Sequence, residues 1–231
     1  MKTPEDRLYL FDIDGTLLRL DGAGRQALGC AFGDVFSVPS PHSSMRLIRF
    51  EGSTDEAILQ DAVRRMRLAP EVFAQNRERF EVSYLGYLEG LVAGMGAECV
   101  LPSVVRALEV LKQRGAALGL LTGNSEAGAR AKLKPFGLNR FFPAGAFGSD
   151  HADRTVLAGL ARSRLEKDSG RCFPPRDVFV VGDSVMDVRC GKAHGFSTVA
   201  VTTGWTPRED LLKERPDYLL DDLGQLLEHS L

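Results

Sequence analysis

The 231-residue sequence predicts an α/β fold, a Rossmann-like parallel sheet with an α-helical domain inserted early in the chain. Three observations carry this. Five short apolar runs, at 8–11, 117–121, 144–147, 178–181 and 198–201, each end in a polar or glycine-containing break and read as buried strands. Stretches with helical spacing at 104–114, 125–136 and 156–166 separate the later runs, the pattern of a parallel sheet covered on both faces. Residues 18–95 interrupt the alternation, with no convincing strand and two long amphipathic stretches at 54–68 and 70–93. The expected division is 1–17 and 96–231 for the α/β core and 18–95 for the helical insert.

Taken in order, LYLF (8–11) is a continuous apolar run that suits a strand buried on both faces. In the insert, Thr54 followed by Asp55 and Glu56 is a sound helix start, and Pro70 fits the first turn of the next helix. SVPSPHSS (37–44) reads as a turn, and Gly90, Gly94 and Gly96 mark the return to the core. The remaining apolar runs and helical stretches then alternate to the end. In such a sheet ligands gather beyond the carboxyl ends of the strands, so the residues just after each run are the ones to inspect.

Composition narrows the chemistry. With 29 Lys plus Arg against 31 Asp plus Glu, the formal charge of −2 argues against binding nucleic acid by phosphate neutralisation. No stretch approaches the ~20 apolar residues of a membrane span, and MKTPEDRLYLFD lacks the apolar run of a secretory signal, so no membrane partner is expected and the cytoplasm is the default. Cys30, Cys99, Cys172 and Cys190 are far apart, and His42, His151, His194 and His229 are equally scattered, which leaves disulfide, zinc and Ser-His-Asp readings without support. Chemistry must come from oxygen ligands.

Asp12 and Asp14 follow the first strand, with Gly15 and Thr16 next. Two carboxylates on one side of a strand end repel each other unless a cation intervenes. Three other strand ends carry complementary groups. Thr122, Gly123 and Asn124 offer a hydroxyl and backbone N–H groups entering a helix, an anion cradle. Arg154 opens the helix after GSDHAD, and Asp183 and Asp187 lie four apart in GDSVMD. Strand ends in this type of sheet meet at one rim. Magnesium takes one or two carboxylates plus substrate phosphate oxygens, so a phosphate ester on Mg2+ suits the cluster.

On these residues the chain resembles the haloacid dehalogenase superfamily, in its helical-cap phosphatase branch, and is most similar to phosphoglycolate phosphatase-like members. DIDGTLL, Thr122 in LLTGN and GDSVMD stand in the expected order; at the third motif, where the family has lysine followed by proline, Arg154 in HADRT is the best match and Lys167 the alternative. The resemblance implies that Asp12 is the nucleophile, that Asp14 is the general acid and base and starts protonated among crowding acids, and that Mg2+ is held by Asp12, the Asp14 carbonyl and Asp183 with Asp187 close behind. Thr122, Gly123, Asn124 and Arg154 would bind the phosphoryl group. It makes the insert a cap, with Arg49, Ser53 and Thr54 of RFEGSTDEAI as candidate specificity residues, although Ser53 or Thr54 also suits a plain helix cap. The expected substrate is a small phosphate ester, phosphoglycolate-like or a sugar phosphate, and the expected assembly a monomer or homodimer. A β-phosphoglucomutase-type mutase is an alternative, weakened by the lack of a histidine in GAGR, as is a receiver-like phosphoaspartate module, usually half this length. The 20–95 stretch has eight arginines and no lysine, against phosphonoacetaldehyde hydrolase with its Schiff-base lysine.

Overall fold

A computed structural model describes residues 6–228; the first five residues and 229–231, including His229, lie outside it. Six strands form one sheet in the order β3-β2-β1-β4-β5-β6, with every neighbouring pair parallel. They are β1 (Leu8–Phe11), β2 (Ala117–Leu121), β3 (Gly145–Ala146), β4 (Val178–Gly182), β5 (Ser197–Val201) and β6 (Tyr218–Leu220). Five match the apolar runs. The sixth is three residues long, too short to register as a periodic signal.

β1 lies at the centre and is buried along its whole length. Tyr9 and Phe11 pack into one hydrophobic cluster and Leu8 and Leu10 into another, so the alternation of the strand feeds cores on both faces of the sheet. Phe11 pairs with Leu120 on one side and Val181 on the other. That register brings Asp12, Thr122 and Asp183 out at the same end.

The covering helices are α6 (Val104–Gln113), α7 (Glu126–Leu133), α8 (Arg154–Ser169), α9 (Val185–Ala193), α10 (Arg208–Lys213) and α11 (Gly224–Glu228). Between β1 and α6 come α1 (Ala23–Phe36), α2 (Pro41–Met45), α3 (Asp55–Arg65), α4 (Pro70–Gln75) and α5 (Arg77–Ala93). The chain leaves and returns side by side, with Arg19 N–H donating to Cys99 O at 2.8 Å and Leu101 N–H to Leu17 O at 3.0 Å.

Three details differ from the sequence expectation. The stretch expected as one helix over 70–93 breaks at Asn76, whose φ of −112° is not helical and whose Nδ2 donates to Val72 O, the local competition typical of Asn. The turn expected at 37–44 closes into the short helix α2. α1 was not expected, since its three glycines lower helix propensity; Ala27, Leu28, Ala31 and Phe32 nevertheless bury one stripe, and Phe32 stacks with Phe73 and meets Phe80 at a tilt. Tertiary packing overrides the local preference.

Candidate active site

At the carboxyl end of the sheet, Asp12, Asp183 and Asp187 each offer a carboxylate oxygen within 4.8 Å of the others. All three side chains are buried. Gly15, with φ of +85°, turns the loop after β1 so closely that a Cβ there would lie 2.5 Å from Asp183 Oδ2, which explains the glycine. Asp187 is the third residue of α9 and forms a capping box with Ser184: Ser184 N–H donates to Asp187 Oδ2 at 3.0 Å, and Asp187 N–H to Ser184 Oγ at 3.3 Å.

Arg154 crosses the cluster. Its Nη2 donates to Asp12 Oδ1 at 2.8 Å and Asp187 Oδ1 at 2.5 Å, with the side chain 5% exposed. It occupies the first turn of α8, where a cation opposes the helix dipole, so its place makes sense only against these acids. Burial works against its charge, and Asp187 and Asp12 outweigh it and keep the guanidinium cationic. Lys167 stands exposed on the last turn of α8. Of the two candidates for the third motif, the fold brings only Arg154 to the rim.

One cation among three buried acids is too few. Asp183 accepts only long hydrogen bonds, from Thr16 Oγ1 at 3.5 Å and Trp205 N–H at 3.3 Å. Burial, with the charges of Asp12 and Asp187 behind it, pushes its carboxyl up to about 8. Burial likewise raises Asp12, against the pull of Arg154. A hard dication matches this deficit and this all-oxygen donor set. Asp12 and Asp183 are the better ligands, because both Asp187 oxygens are already engaged by Arg154 and Ser184.

Asp14 lies outside the acidic triad, though its charge reaches Asp12 and Asp55, and a cation meets it as well: its Oδ2 accepts from Lys132 Nζ at 2.6 Å and Asn124 Nδ2 at 2.8 Å. The physical reason is α7, which turns Lys132 inward. Asn124 is correspondingly occupied: its side chain also donates to Thr122 Oγ1 at 2.8 Å and its N–H bonds the same hydroxyl at 3.3 Å. Thr122, Gly123 and Asn124 all line the cavity above the triad.

That cavity, about 450 Å3, lies between the sheet end and the insert. Asp12, Asp14, Asp183 and Arg154 form its floor, and Arg25, Arg46, Ser53, Asp55 and Tyr84 come from the insert. Of the three specificity candidates, only Ser53 lines it. Arg49 is exposed and lines a neighbouring surface groove with Glu51 and Trp205, because its segment turns outward before Ser53. Thr54 is the N-cap of α3, accepting from Ala57 N–H at 3.3 Å and donating to Ala152 O at 3.2 Å, so its hydroxyl is spent on structure. Arg25, Arg46, Tyr84, Asp55 and Lys132 were not singled out from sequence. Gly128, Ala129, Lys132 and Leu133 share the buried stripe of α7, and that spacing is the signal that could have exposed Lys132.

One loop of the insert is hydrogen-bonded to the floor. Asp55 N–H donates to Gly123 O at 2.6 Å, and Ser125 N–H donates to Asp55 Oδ2 at 2.7 Å. Among the described residues no helix is long and apolar enough to cross a membrane.

A family model for haloacid dehalogenase-like hydrolases matches residues 7–195. Among curated proteins, a phosphoglycolate phosphatase of Agrobacterium fabrum is 25% identical over 223 residues, covering 96% of this chain and 91% of that one. A phosphoglycolate phosphatase of Haemophilus influenzae is 29% identical over 134 residues, so that the match spans about half of each, 54% of this chain and 55% of its relative. Among solved structures, one described as a predicted phosphoglycolate phosphatase from Haemophilus somnus superposes with a TM-score of 0.74 at 22% identity, covering 98% of this chain and 99% of that chain. CbbY from Rhodobacter sphaeroides in complex with phosphate gives 0.72 at 20% identity, covering 95% and 96%.

Proposed function

Because this chain belongs to the haloacid dehalogenase-like hydrolase family, we propose that it is a phosphatase, Mg2+-dependent, which hydrolyses a small phosphomonoester through an aspartyl phosphate on Asp12. The observation that carries this is Asp12 itself: a buried strand-end carboxylate within 4.8 Å of two others, bonded to a buried arginine and open to a cavity. The relatives named phosphoglycolate phosphatase point to a phosphoglycolate-like ester, with a sugar phosphate as the other expected substrate. Arg25 and Arg46 line the cavity as cations for a substrate with further negative charge. The protein would act as a monomer or homodimer in the cytoplasm, with no nucleic-acid or membrane partner.

In the first step an Asp12 oxygen bonds to phosphorus as the ester P–O bond breaks, and Asp14 gives the departing alkoxide its proton. In the second, Asp14 takes a proton from water as that water attacks the phosphoaspartate, and inorganic phosphate leaves with Asp12 regenerated. Asp12 and Asp183 would hold Mg2+, with the Asp14 carbonyl as a further ligand and Asp187 behind them. The ion supplies charge neutralisation for a carboxylate approaching a phosphate dianion. Arg154, Thr122 and the Gly123 and Asn124 amides would steady the phosphoryl oxygens; Thr122 and Asn124 must first exchange their mutual hydrogen bonds for substrate. Residues 18–95 act as the cap, excluding water once the Asp55 loop is docked.

Phosphate release from a panel of metabolite esters, with and without Mg2+, tests the reading. Asp12→Asn should abolish both turnover and acid-stable incorporation of phosphate. Substantial activity in that variant would sink the covalent route, and conversion of a sugar phosphate to its isomer with little free phosphate would make the protein a mutase.

A further inference from the structure

Lys132 is 5% exposed on the inner stripe of α7, and a buried ammonium is costly unless it is paired and hydrogen-bonded. Among the described residues its one salt-bridge partner is Asp14, at 2.6 Å, and its Nζ also donates to Asn124 Oδ1 at 2.6 Å. Asn124 closes the triangle by donating from Nδ2 to Asp14 Oδ2 at 2.8 Å. Two donors from one structural unit, the β2-α7 turn and its helix, therefore fix the same carboxylate oxygen. The insert roofs the amine: a Cβ on Gly24, in the first turn of α1, would lie 3.6 Å from Lys132 Nζ. Asp14 itself keeps a third of its side chain exposed and lines the cavity.

The arrangement answers a problem set by the acidic triad. Asp14 stands two residues from Asp12 on a loop that offers carboxylates to a dication, and a free Asp14 side chain would compete to join them. We propose that Lys132 is a positioning residue which, with Asn124, holds the Asp14 carboxyl group by Oδ2 on the cavity wall, apart from Asp12, Asp183 and Asp187, so that its other oxygen, when protonated, can pass a proton to the leaving oxygen. The inference rests on the phosphatase reading above and adds to it a residue that acts on Asp14 rather than on the triad. Lys132 makes no contact with the triad; Arg154 touches Asp12 and Asp187 and not Asp14.

The test compares esters that differ in their need for a proton. In rapid-quench measurements with Mg2+, Lys132→Met should form phosphoenzyme from an alkyl phosphate about 100-fold more slowly than the parent, the scale of a misplaced general acid. With p-nitrophenyl phosphate, whose nitrophenolate departs unprotonated, the loss should stay within about five-fold, since general acid catalysis contributes little there. Lys132→Arg should recover part of the alkyl rate. Mg2+ affinity, read from the fluorescence of the single tryptophan, Trp205, whose N–H faces Asp183 Oδ2, should change by less than about three-fold, because the triad is untouched. Equal losses on both esters, or no loss on either, would overturn the proposal. If Lys132→Met does not fold, Asn124→Ala, which removes the second donor, should show the same ester dependence at smaller size, and its absence there counts equally against it. A parent that forms no phosphoenzyme from either ester would instead defeat the phosphatase reading, and this inference with it.

Discussion

Gly123→Ala is the sharpest test of what the docking of the Asp55 loop on the core contributes. A Cβ at Gly123 would lie 2.0 Å from Ser53 O and 3.1 Å from Thr54 Cα, both backbone atoms of the insert loop. Ordinary contact begins near 3.4 Å, so the loop must retreat by about 1.4 Å, and a 1 Å misplacement at a reacting site can cost on the order of 100-fold. The retreat breaks the bond from Asp55 N–H to Gly123 O at 2.6 Å and that from Ser125 N–H to Asp55 Oδ2 at 2.7 Å. At about 1 kcal/mol each, closure weakens by about 2 kcal/mol. With tenfold per ~1.4 kcal/mol, kcat/KM should fall about 30-fold from closure alone. The thermal midpoint should hold within a few degrees, because the three nearest atoms to the added methyl all belong to the insert. Steady-state kinetics on an alkyl phosphate and a thermal melt check both halves. A variant with parental kcat/KM would refute the reasoning, and so would one whose melt collapses, since that would place the clash inside the core.

Replacing Arg154 with Ala leaves Asp12 and Asp187 buried without their shared cation and should cost about 3–5 kcal/mol in urea denaturation, whereas Lys167→Ala, on an exposed position, should stay within about 0.5 kcal/mol; the reverse order would reassign the third motif. The metal-free protein should lose stability as pH rises. Asp183 is raised from 3.8 to about 8, so the folded state holds its proton more tightly than the unfolded chain; that contribution is whole below about pH 4 and is lost as pH climbs through about 8. Melts in EDTA should therefore fall across this window, Asp183→Asn should flatten the fall, and stabilisation by added Mg2+ should grow with pH; a flat EDTA profile in the parent would contradict the assignment. Asp55→Ala, which removes the carboxylate tie to Ser125 but leaves its own N–H on Gly123 O, should lower kcat/KM by roughly five-fold, less than Gly123→Ala, and equal or larger loss would show that Asp55 does more than hold the loop.

The strand ends were legible because a parallel sheet puts them at one rim whatever else the chain does, and the register of β1 with β2 and β4 needs only their apolar runs to be found. Asp12, Thr122, Arg154 and Asp183 follow from that alone. What stayed hidden depends on contacts between distant elements. Lys132 sits in ARAKLK, where Arg130, Lys132 and Lys134 look like one solvated basic face, and its partner Asp14 is 118 positions earlier. Arg25 and Arg46 are two of nine arginines in the insert, and only the folded path of α1 and the loop after α2 selects them for the cavity while turning Arg49 away. Thr54 had two sound readings from sequence, and the hydrogen bond to Ala57 N–H decides for the cap.

This division has a physical origin. The floor residues are fixed by strand ends, and the apolar run that marks each strand is local in the sequence, so each can be placed from its own strand. The walls are fixed by which side chain of a helix or loop faces inward where distant elements pack together, and a rotation of α7 by one position would replace Lys132 with Ala131 or Leu133 while preserving every motif. The chemistry at Asp12 is thus written into the strand order, whereas the environment of Asp14 is a property of packing. Substitutions along the buried stripe of α7 should accordingly change how well the leaving group is handled before they change whether Asp12 can be phosphorylated.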